Sequence, residues 1–164
     1  MAEQYLDIID LIQTKSQADT YLSEIELLRN SLYNVKDTVD EKMGKYLSQS
    51  LKERILSQCG KGGINSKNDK EFGHFLDGLK TTIQGLKKVT LHIAFEPKSD
   101  TIKTIFSWFS VNHKERLIID VLVDKDLVGG AIIDFEGKHK EVTLKHALEE
   151  KFKKGEIKSL LKEI

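Results

Sequence analysis

The sequence contains little cysteine, proline or arginine: one Cys and one Pro in 164 residues, and three Arg among 26 basic side chains. The single cysteine, Cys59, excludes an intrachain disulfide and fits a reducing compartment. The scarcity of arginine leaves few groups for bidentate recognition of phosphate or guanine. The formal net charge is zero, since 26 acidic side chains cancel the 26 basic ones. Nucleic-acid binders carry a clear basic excess, so the composition argues against nucleic acid and favours protein partners.

Signals for secretion and for membrane insertion are missing as well. Residues Met1 to Gln4 carry one acidic side chain and no basic one, unlike the start of a signal peptide. No apolar run approaches the roughly 18 residues that a spanning helix needs. We therefore expect any association with a membrane to be indirect, through another protein.

The sequence also lacks the patterns of common catalytic and metal sites. None of its five histidines pairs at HxxxH or HExxH spacing, and one cysteine cannot build a thiolate zinc site. The GxSxG, GxGxxG and GxxxxGK[ST] patterns are absent. Cys59, close to Lys61, is either a reactive thiol or, more simply, an unreactive residue at the edge of a loop. We predict a non-catalytic protein with no cofactor and no metal.

Two groups of polar side chains remain as weaker candidates. His139, Glu141 and His146 could converge as a metal or acid–base cluster, although solvated side chains are the simpler interpretation. Asp120 and Asp134 could pair across neighbouring strands, where like charges are unfavourable. That arrangement predicts an intervening lysine rather than a catalytic pair of carboxylates.

The first third of the sequence has the apolar spacing of helices. One stripe predicts a short helix that ends near Thr14, and a second predicts a helix over Ala18–Leu32. A third predicts one helix that begins at a cap on Asp37 or Thr38 and continues to Ile55. Together they predict a small bundle whose thin core could leave one groove open to a partner helix.

The stretch 59–68 is rich in glycine and polar turn formers, and it predicts a flexible linker. It would divide the chain into a helical domain over 1–58 and an α/β domain over 69–164. The second domain begins with a helical stripe from Phe72 to Leu86. Three glycines in that stripe weaken the helix by about 1 kcal/mol each relative to alanine, so tertiary packing must stabilise it.

The rest of the sequence alternates between strand and helix patterns. One helix would be capped by Ser99 or Asp100, and a closing helix by Thr143. The second strand is an unbroken apolar run, which predicts a central position in the sheet. We therefore predict an α + α/β fold: an N-terminal helical bundle followed by a small C-terminal β-α-β-β-β-α domain with a mixed sheet. The predicted strands cover residues 89–95, 117–123, 128–135 and 138–142.

The most specific segment runs from Val123 to Ile133 and reads VDKDLVGGAII. It resembles the VDPxLIGGxxI signature in the C-terminal domain of F-type ATP synthase delta subunits, the bacterial counterparts of the oligomycin-sensitivity-conferring protein. The flanking strands and helix follow in the order of that domain. Lys125 stands where the family has proline, and Glu141 where it has aspartate. The positions that match the family motif are Val123, Asp124, Leu127, Gly129, Gly130, Thr143 and Leu148.

The resemblance implies a subunit of the peripheral stalk, which links the catalytic alpha/beta head to the membrane-anchored b subunits. Such a stator resists rotor torque, so that proton flow is coupled to ATP synthesis. The resemblance also implies one copy per complex, peripheral on the cytoplasmic face of the bacterial inner membrane and joined to the membrane only through the b subunits. The first 60 residues match the family in being helical, and they are short for its N-terminal bundle.

The implied partners are the N-termini of the alpha subunits for the helical domain and the C-termini of the b subunits for the second domain. Two apolar stripes are candidates for these contacts, although each could instead pack internally. The candidates for the alpha contact are Tyr5, Ile8, Ile9 and Ile12, and those for the b contact are Ile157, Leu160, Leu161 and Ile164.

Two other interpretations compete with a delta subunit. The E-type stator subunit of vacuolar or archaeal ATPases resembles this C-terminal domain. That family expects a long continuous N-terminal helix, which the breaks near Thr14 and between Asn34 and Thr38 argue against. Alternatively, a small cytosolic α/β ligand-binding protein could use the turn at Gly129 and Gly130 as an anion nest.

Overall fold

The structure is a computed structural model that describes residues 3–34, 36–112, 116–127 and 129–143. Helices make up the first part of the chain. Two compact units divide the chain, Met1–Lys87 and Lys88–Ile164. The helical unit begins with a 3₁₀ turn over Glu3–Tyr5. Its α-helices are α1 (Leu6–Ile9), α2 (Lys15–Ser31), α3 (Val39–Tyr46), α4 (Gln49–Gly62) and α5 (Asp69–Gln84).

Capping boxes start two of these helices. The hydroxyl of Thr14 accepts a hydrogen bond from the backbone amide of Gln17, whose side chain accepts one from the Thr14 amide. Thr38 and Glu41 make the same reciprocal pair at the start of α3. The predicted cap at Thr38 is therefore confirmed, and the turn that ends the first helix is fixed by the cap of the second.

The single helix predicted from Val39 to Ile55 is wrong, because the chain breaks into α3 and α4 at Leu47 and Ser48. Leu47 is extended (φ −105°, ψ 142°) and ends α3. The Glu24 carboxylate of α2 accepts hydrogen bonds from the Ser48 backbone amide and hydroxyl, both at 2.9 Å. The apolar spacing of the sequence continues through this break, so that spacing does not reveal it. The break becomes apparent only from the contact with α2 in the structure.

The last helix of this unit, α5, corrects the predicted domain boundary. Its apolar residues, including Phe72 and Leu79, are fully buried, and α5 packs against α2. The Gly-rich stretch is not a linker: its first four residues complete α4, and Gly63 ends that helix in the left-handed conformation (φ 63°). The boundary between the units therefore follows Lys87.

The second unit contains the sheet. Its elements are β1 (Lys87–Ile93), α6 (Ser99–Asn112), β2 (Leu117–Val123), β3 (Gly130–Phe135) and β4 (Lys138–Thr143). The strand order is β2-β1-β3-β4, with β2 parallel to β1 and the other pairs antiparallel. The α + β class and the mixed sheet are thus confirmed. The predicted closing helix from Thr143 lies almost entirely outside the described residues.

One face of the sheet packs against α6. Val89 and Leu91 of β1 and Leu117 and Ile119 of β2 form the buried centre, and apolar side chains of α6 and β3 pack around them. The alternation along β1 places its other side chains on the opposite face. Among the described strands β2 lies at the edge of the sheet, so its predicted central position is wrong. Leu117, Ile118 and Ile119 are nevertheless all buried, so the start of β2 is covered on both faces, and this explains the apolar run.

Candidate interaction surfaces

The predicted alpha-contact stripe is part of the core of the helical unit. Tyr5, Ile8, Ile9 and Ile12 are each 4% exposed or less. The Tyr5 ring lies 5.4 Å from that of Phe75, and its hydroxyl donates a hydrogen bond to the Phe75 backbone oxygen at 3.4 Å. Burial raises the pKa of the Tyr5 hydroxyl. These four side chains hold α1 in place, and the prediction that they contact a partner directly is wrong.

The cleft between α2 and α5 contains a network of polar contacts centred on Arg29. The Arg29 guanidinium binds both carboxylate oxygens of Asp77, at 3.0 and 3.1 Å. It also donates to the Tyr33 hydroxyl at 3.0 Å and lies 5.3 Å from the centre of that ring. These contacts fix Tyr33 in place although 76% of it is exposed.

Arg29 and Tyr33 are shared by two shallow depressions, of about 250 and 390 Å³, along this cleft. Ile25, Leu32 and Leu76 supply apolar lining, and polar and charged side chains line most of the rest. Lys80 of α5 pairs with Glu26 of α2 at 3.3 Å on the rim. An oriented tyrosine with a clamped arginine is the composition of binding hot spots in protein interfaces.

The family-like segment forms the connection from β2 to β3. The backbone amide of Asp124 donates to the Ile93 oxygen at 2.8 Å, which ties the segment to the end of β1. The Asp124 carboxylate accepts from the Asp126 amide at 3.0 Å in a local turn. Gly129 and Gly130 have φ of 86° and 89°, a conformation that other residues rarely adopt.

Most of the motif positions lie close together at one end of the strands. Strands β1, β2 and β4 all end there, because β1 is parallel to β2 and both β1 and β4 are antiparallel to β3. Thr143 pairs with Gly130 in the register of β4 with β3. Val123, Asp124 and Leu127 precede the glycines along the same connection. Leu148 lies outside the described residues, as do the predicted b-contact residues Ile157, Leu160, Leu161 and Ile164.

The second unit exposes large apolar side chains at two places. Phe95, Leu122 and Val123 lie where β1 and β2 end, next to the motif. Trp108 and Val111 lie one turn apart on α6, with exposures of 61% and 84%. The helix carries no charged residue from Thr104 to Asn112. Paired apolar residues on an uncharged helix face favour contact with another protein.

The polar side chains singled out in the sequence contact polar side chains on neighbouring strands. Lys88 of β1 lies 3.2 Å from the Asp120 carboxylate, but the predicted arrangement, a lysine between Asp120 and Asp134 on neighbouring strands, is wrong. Asp120 and Asp134 are not on neighbouring strands, since β1 lies between β2 and β3. Asp134 instead contacts His92 at 3.2 Å and His139 at 2.6 Å. His146, which was grouped with His139 and Glu141 in the predicted cluster, lies outside the described residues.

No group of three or more His, Cys, Asp or Glu in the described ranges is arranged to hold a metal ion. Cys59 is buried within α4, and burial, with a smaller contribution from Glu71, raises the pKa of its thiol to about 11. A thiol with that pKa stays protonated near neutral pH, which supports the unreactive interpretation. None of the described helices is long and apolar enough to cross a membrane.

No protein-family model matches this chain, and no curated protein is significantly similar to it.

Proposed function

We propose that this protein is a peripheral-stalk subunit of an F-type ATP synthase, of the delta type. The observation that carries the proposal is the position of the segment from Val123 to Ile133. It connects β2 to β3 in a β-α-β-β-β unit. Its two glycines both have positive φ, which is a physical reason for the glycine pair in the family-like motif. A helical unit precedes that sheet, in the order the resemblance implies.

In this role the chain performs no bond chemistry. The subunit binds the alpha N-termini through its helical unit and the b C-termini through its second unit, and it transmits torque between them. With Tyr5 and its neighbours in the core, the alpha contact falls on the α2–α5 cleft around Tyr33. The uncharged face of α6 supplies a b contact, in addition to the one predicted at Ile157 to Ile164.

The lengths of the described helices disfavour the E-type alternative. The longest, α2, has 17 residues, whereas a coiled-coil stator needs apolar heptads sustained over several turns. The anion-nest alternative loses support because the Asp124 carboxylate, which accepts from the Asp126 amide, already places a negative charge in the short connection that leads to Gly129 and Gly130. A second negative charge beside that carboxylate would be repelled.

Affinity purification of the tagged full chain from its native cells tests the proposal. We expect recovery with the alpha, beta and b subunits of an ATP synthase. Recovery of the chain without these subunits, or with a tightly bound small molecule, would overturn it.

Paired variants sharpen that test by separating the two contacts. Tyr33→Ala should weaken recovery of alpha, and Trp108→Ala with Val111→Ser should weaken recovery of b. All three side chains are exposed, so circular dichroism and the unfolding midpoint should change little. Ser110→Ala, also exposed on α6 but on a different side of the helix from Trp108 and Val111, is the matched control and should leave recovery of b unchanged. Equal recovery from every variant would contradict the assigned surfaces.

A further inference from the structure

Strand β2 has the sequence of a strand that pairs readily with other chains. Six of its seven residues are apolar, and Asp120, its middle residue, is the exception. Among the described strands only β1 pairs with it. An apolar edge strand of this length is a template for pairing with a further strand, because its outer backbone groups have no partner among the described strands.

Asp120 is positioned to oppose such pairing. Its side chain is 18% exposed, and its carboxylate is held 3.2 Å from the ammonium of Lys88 on the inner neighbour β1. A strand added at the outer edge would cover the carboxylate and remove its remaining water, which is costly for a charged group. In an antiparallel pair with a second copy centred on this residue, two Asp120 carboxylates would also lie opposite each other.

The other edge of the sheet is protected differently. Strand β4 carries Lys138, His139, Lys140 and Glu141, all exposed, so four of its six residues are polar and titratable. Charged side chains on an edge strand disfavour edge-to-edge association. Within β2, by contrast, Asp120 is the one charged residue.

We infer that Asp120, held by Lys88, keeps the β2 edge from pairing with β2 of a second copy of this chain. The inference concerns the isolated chain and does not depend on the proposed stator role. Its cause is local: one carboxylate in the middle of an otherwise apolar edge strand.

The test compares the full-length wild type with Asp120→Val by light scattering after size exclusion, over a range of concentrations. The wild type should have the 18.7 kDa mass of one chain, whereas Asp120→Val should reach at least twice that mass as concentration rises. Amide hydrogen exchange in 117–123 should slow in the variant, because pairing protects those amides.

Three further variants keep the test decisive. Asp134→Val makes the same chemical change on β3, which has a strand on both sides, and should remain a monomer. Adding Leu122→Lys to Asp120→Val restores a charge to the same strand face and should restore the monomer. Asp120→Asn, nearly isosteric, replaces Asp120→Val as the readout if circular dichroism shows that the valine variant does not fold.

The inference is overturned if the folded Asp120 variant stays monomeric at every concentration. It is equally overturned if Asp134→Val associates to the same extent, since added hydrophobicity rather than the strand edge would then be the cause. Association of the wild type through 117–123 would also refute it.

Discussion

Gly78 of α5 lies directly against the ring of Tyr5. A methyl group at this position would be 2.2 Å from the Tyr5 hydroxyl and 3.1 Å from its Cζ atom. The distance to the hydroxyl is shorter than real Cβ contacts and the distance to Cζ is tighter than most of them, and the ring is buried. The glycine that weakens α5 as an isolated helix is therefore required by the packing of the 3₁₀ turn on it.

We expect Gly78→Ala to lower the free energy of unfolding by about 1–3 kcal/mol, the usual range for overpacking a core. Gly60→Ala is the matched control, because Gly60 also lies inside a helix but a methyl group there would meet no atom within 4 Å. It should raise stability by up to about 1 kcal/mol through helix propensity. Chemical denaturation of both variants measures the difference, and equal effects would contradict the proposed contact.

The Tyr5→Phe variant tests whether the Tyr5 hydroxyl causes the overpacking in Gly78→Ala. Removing the hydroxyl abolishes the shortest contact, so the alanine at position 78 should cost less in a Tyr5→Phe background than in the wild type. A double-mutant cycle measures this coupling. Purely additive effects would show that the overpacking is relieved elsewhere.

Cys59 provides a second prediction at the scale of one residue. Its pKa is raised from 9.0 to about 11, so between those values the folded thiol holds its proton while the unfolded one loses it. Stability is therefore fully present below about pH 9 and falls as pH rises towards 11, by about 1.4 kcal/mol for each unit of pKa difference. Cys59→Ala should fall less over this range, and parallel stability curves would refute the assignment.

The capping box at α3 gives the prediction for a single element. Thr38→Ala removes the hydroxyl that accepts from the Glu41 amide and should cost about 1 kcal/mol of stability. Thr20→Ala serves as control, because its hydroxyl only bonds back to the Ser16 oxygen within α2. Alanine is the better helix former there, so stability should hold or rise slightly.

The same cap makes the loss dependent on pH. Hydrogen bonds from the Thr38 backbone amide and hydroxyl hold the pKa of Glu41 below its ordinary value of 4.5. Such a group contributes stability above its unfolded pKa and loses it as pH falls through the folded pKa. The stability difference between wild type and Thr38→Ala should therefore shrink below about pH 4.5. A difference that stays constant into acid would contradict the role of Glu41.

The elements themselves could largely be predicted from the sequence, because apolar spacing and capping residues are local signals. Helices α2, α5 and α6 and strands β1 and β2 follow their patterns closely. The break at Ser48 could not be predicted, since it depends on a carboxylate 24 residues earlier. The edge position of β2 was missed because an apolar run shows that a strand is buried without showing how many neighbours it has.

For the whole molecule, the boundary between the units gives a direct prediction. A fragment of residues 1–87 contains every element that packs in the helical unit. It should show helical circular dichroism and a cooperative thermal transition. A fragment of residues 1–68, which ends at the predicted linker, lacks α5 and should not unfold cooperatively. Cooperative unfolding of the shorter fragment would restore the predicted boundary.

Composition and pattern predicted the two-part organisation but not the side of the boundary on which α5 falls. Glycines in 59–68 indicate a turn equally well at the end of a helix and between domains. The candidate site was predicted less completely than the fold. The Val123–Ile133 segment stands out in the sequence, whereas the clamp of Arg29, Asp77 and Tyr33 joins positions up to 48 residues apart, for which no local pattern exists.

The contact of Tyr5 with Phe75 and Gly78 has a consequence for synthesis on the ribosome. The first turn of the helical unit packs on its last helix, so the side chains of the N-terminal stripe have no complete binding place until α5 has left the exit tunnel. Domains generally fold as units during translation. The apolar side chains of this stripe therefore stay exposed in the nascent chain until α5, which ends at Gln84, has emerged.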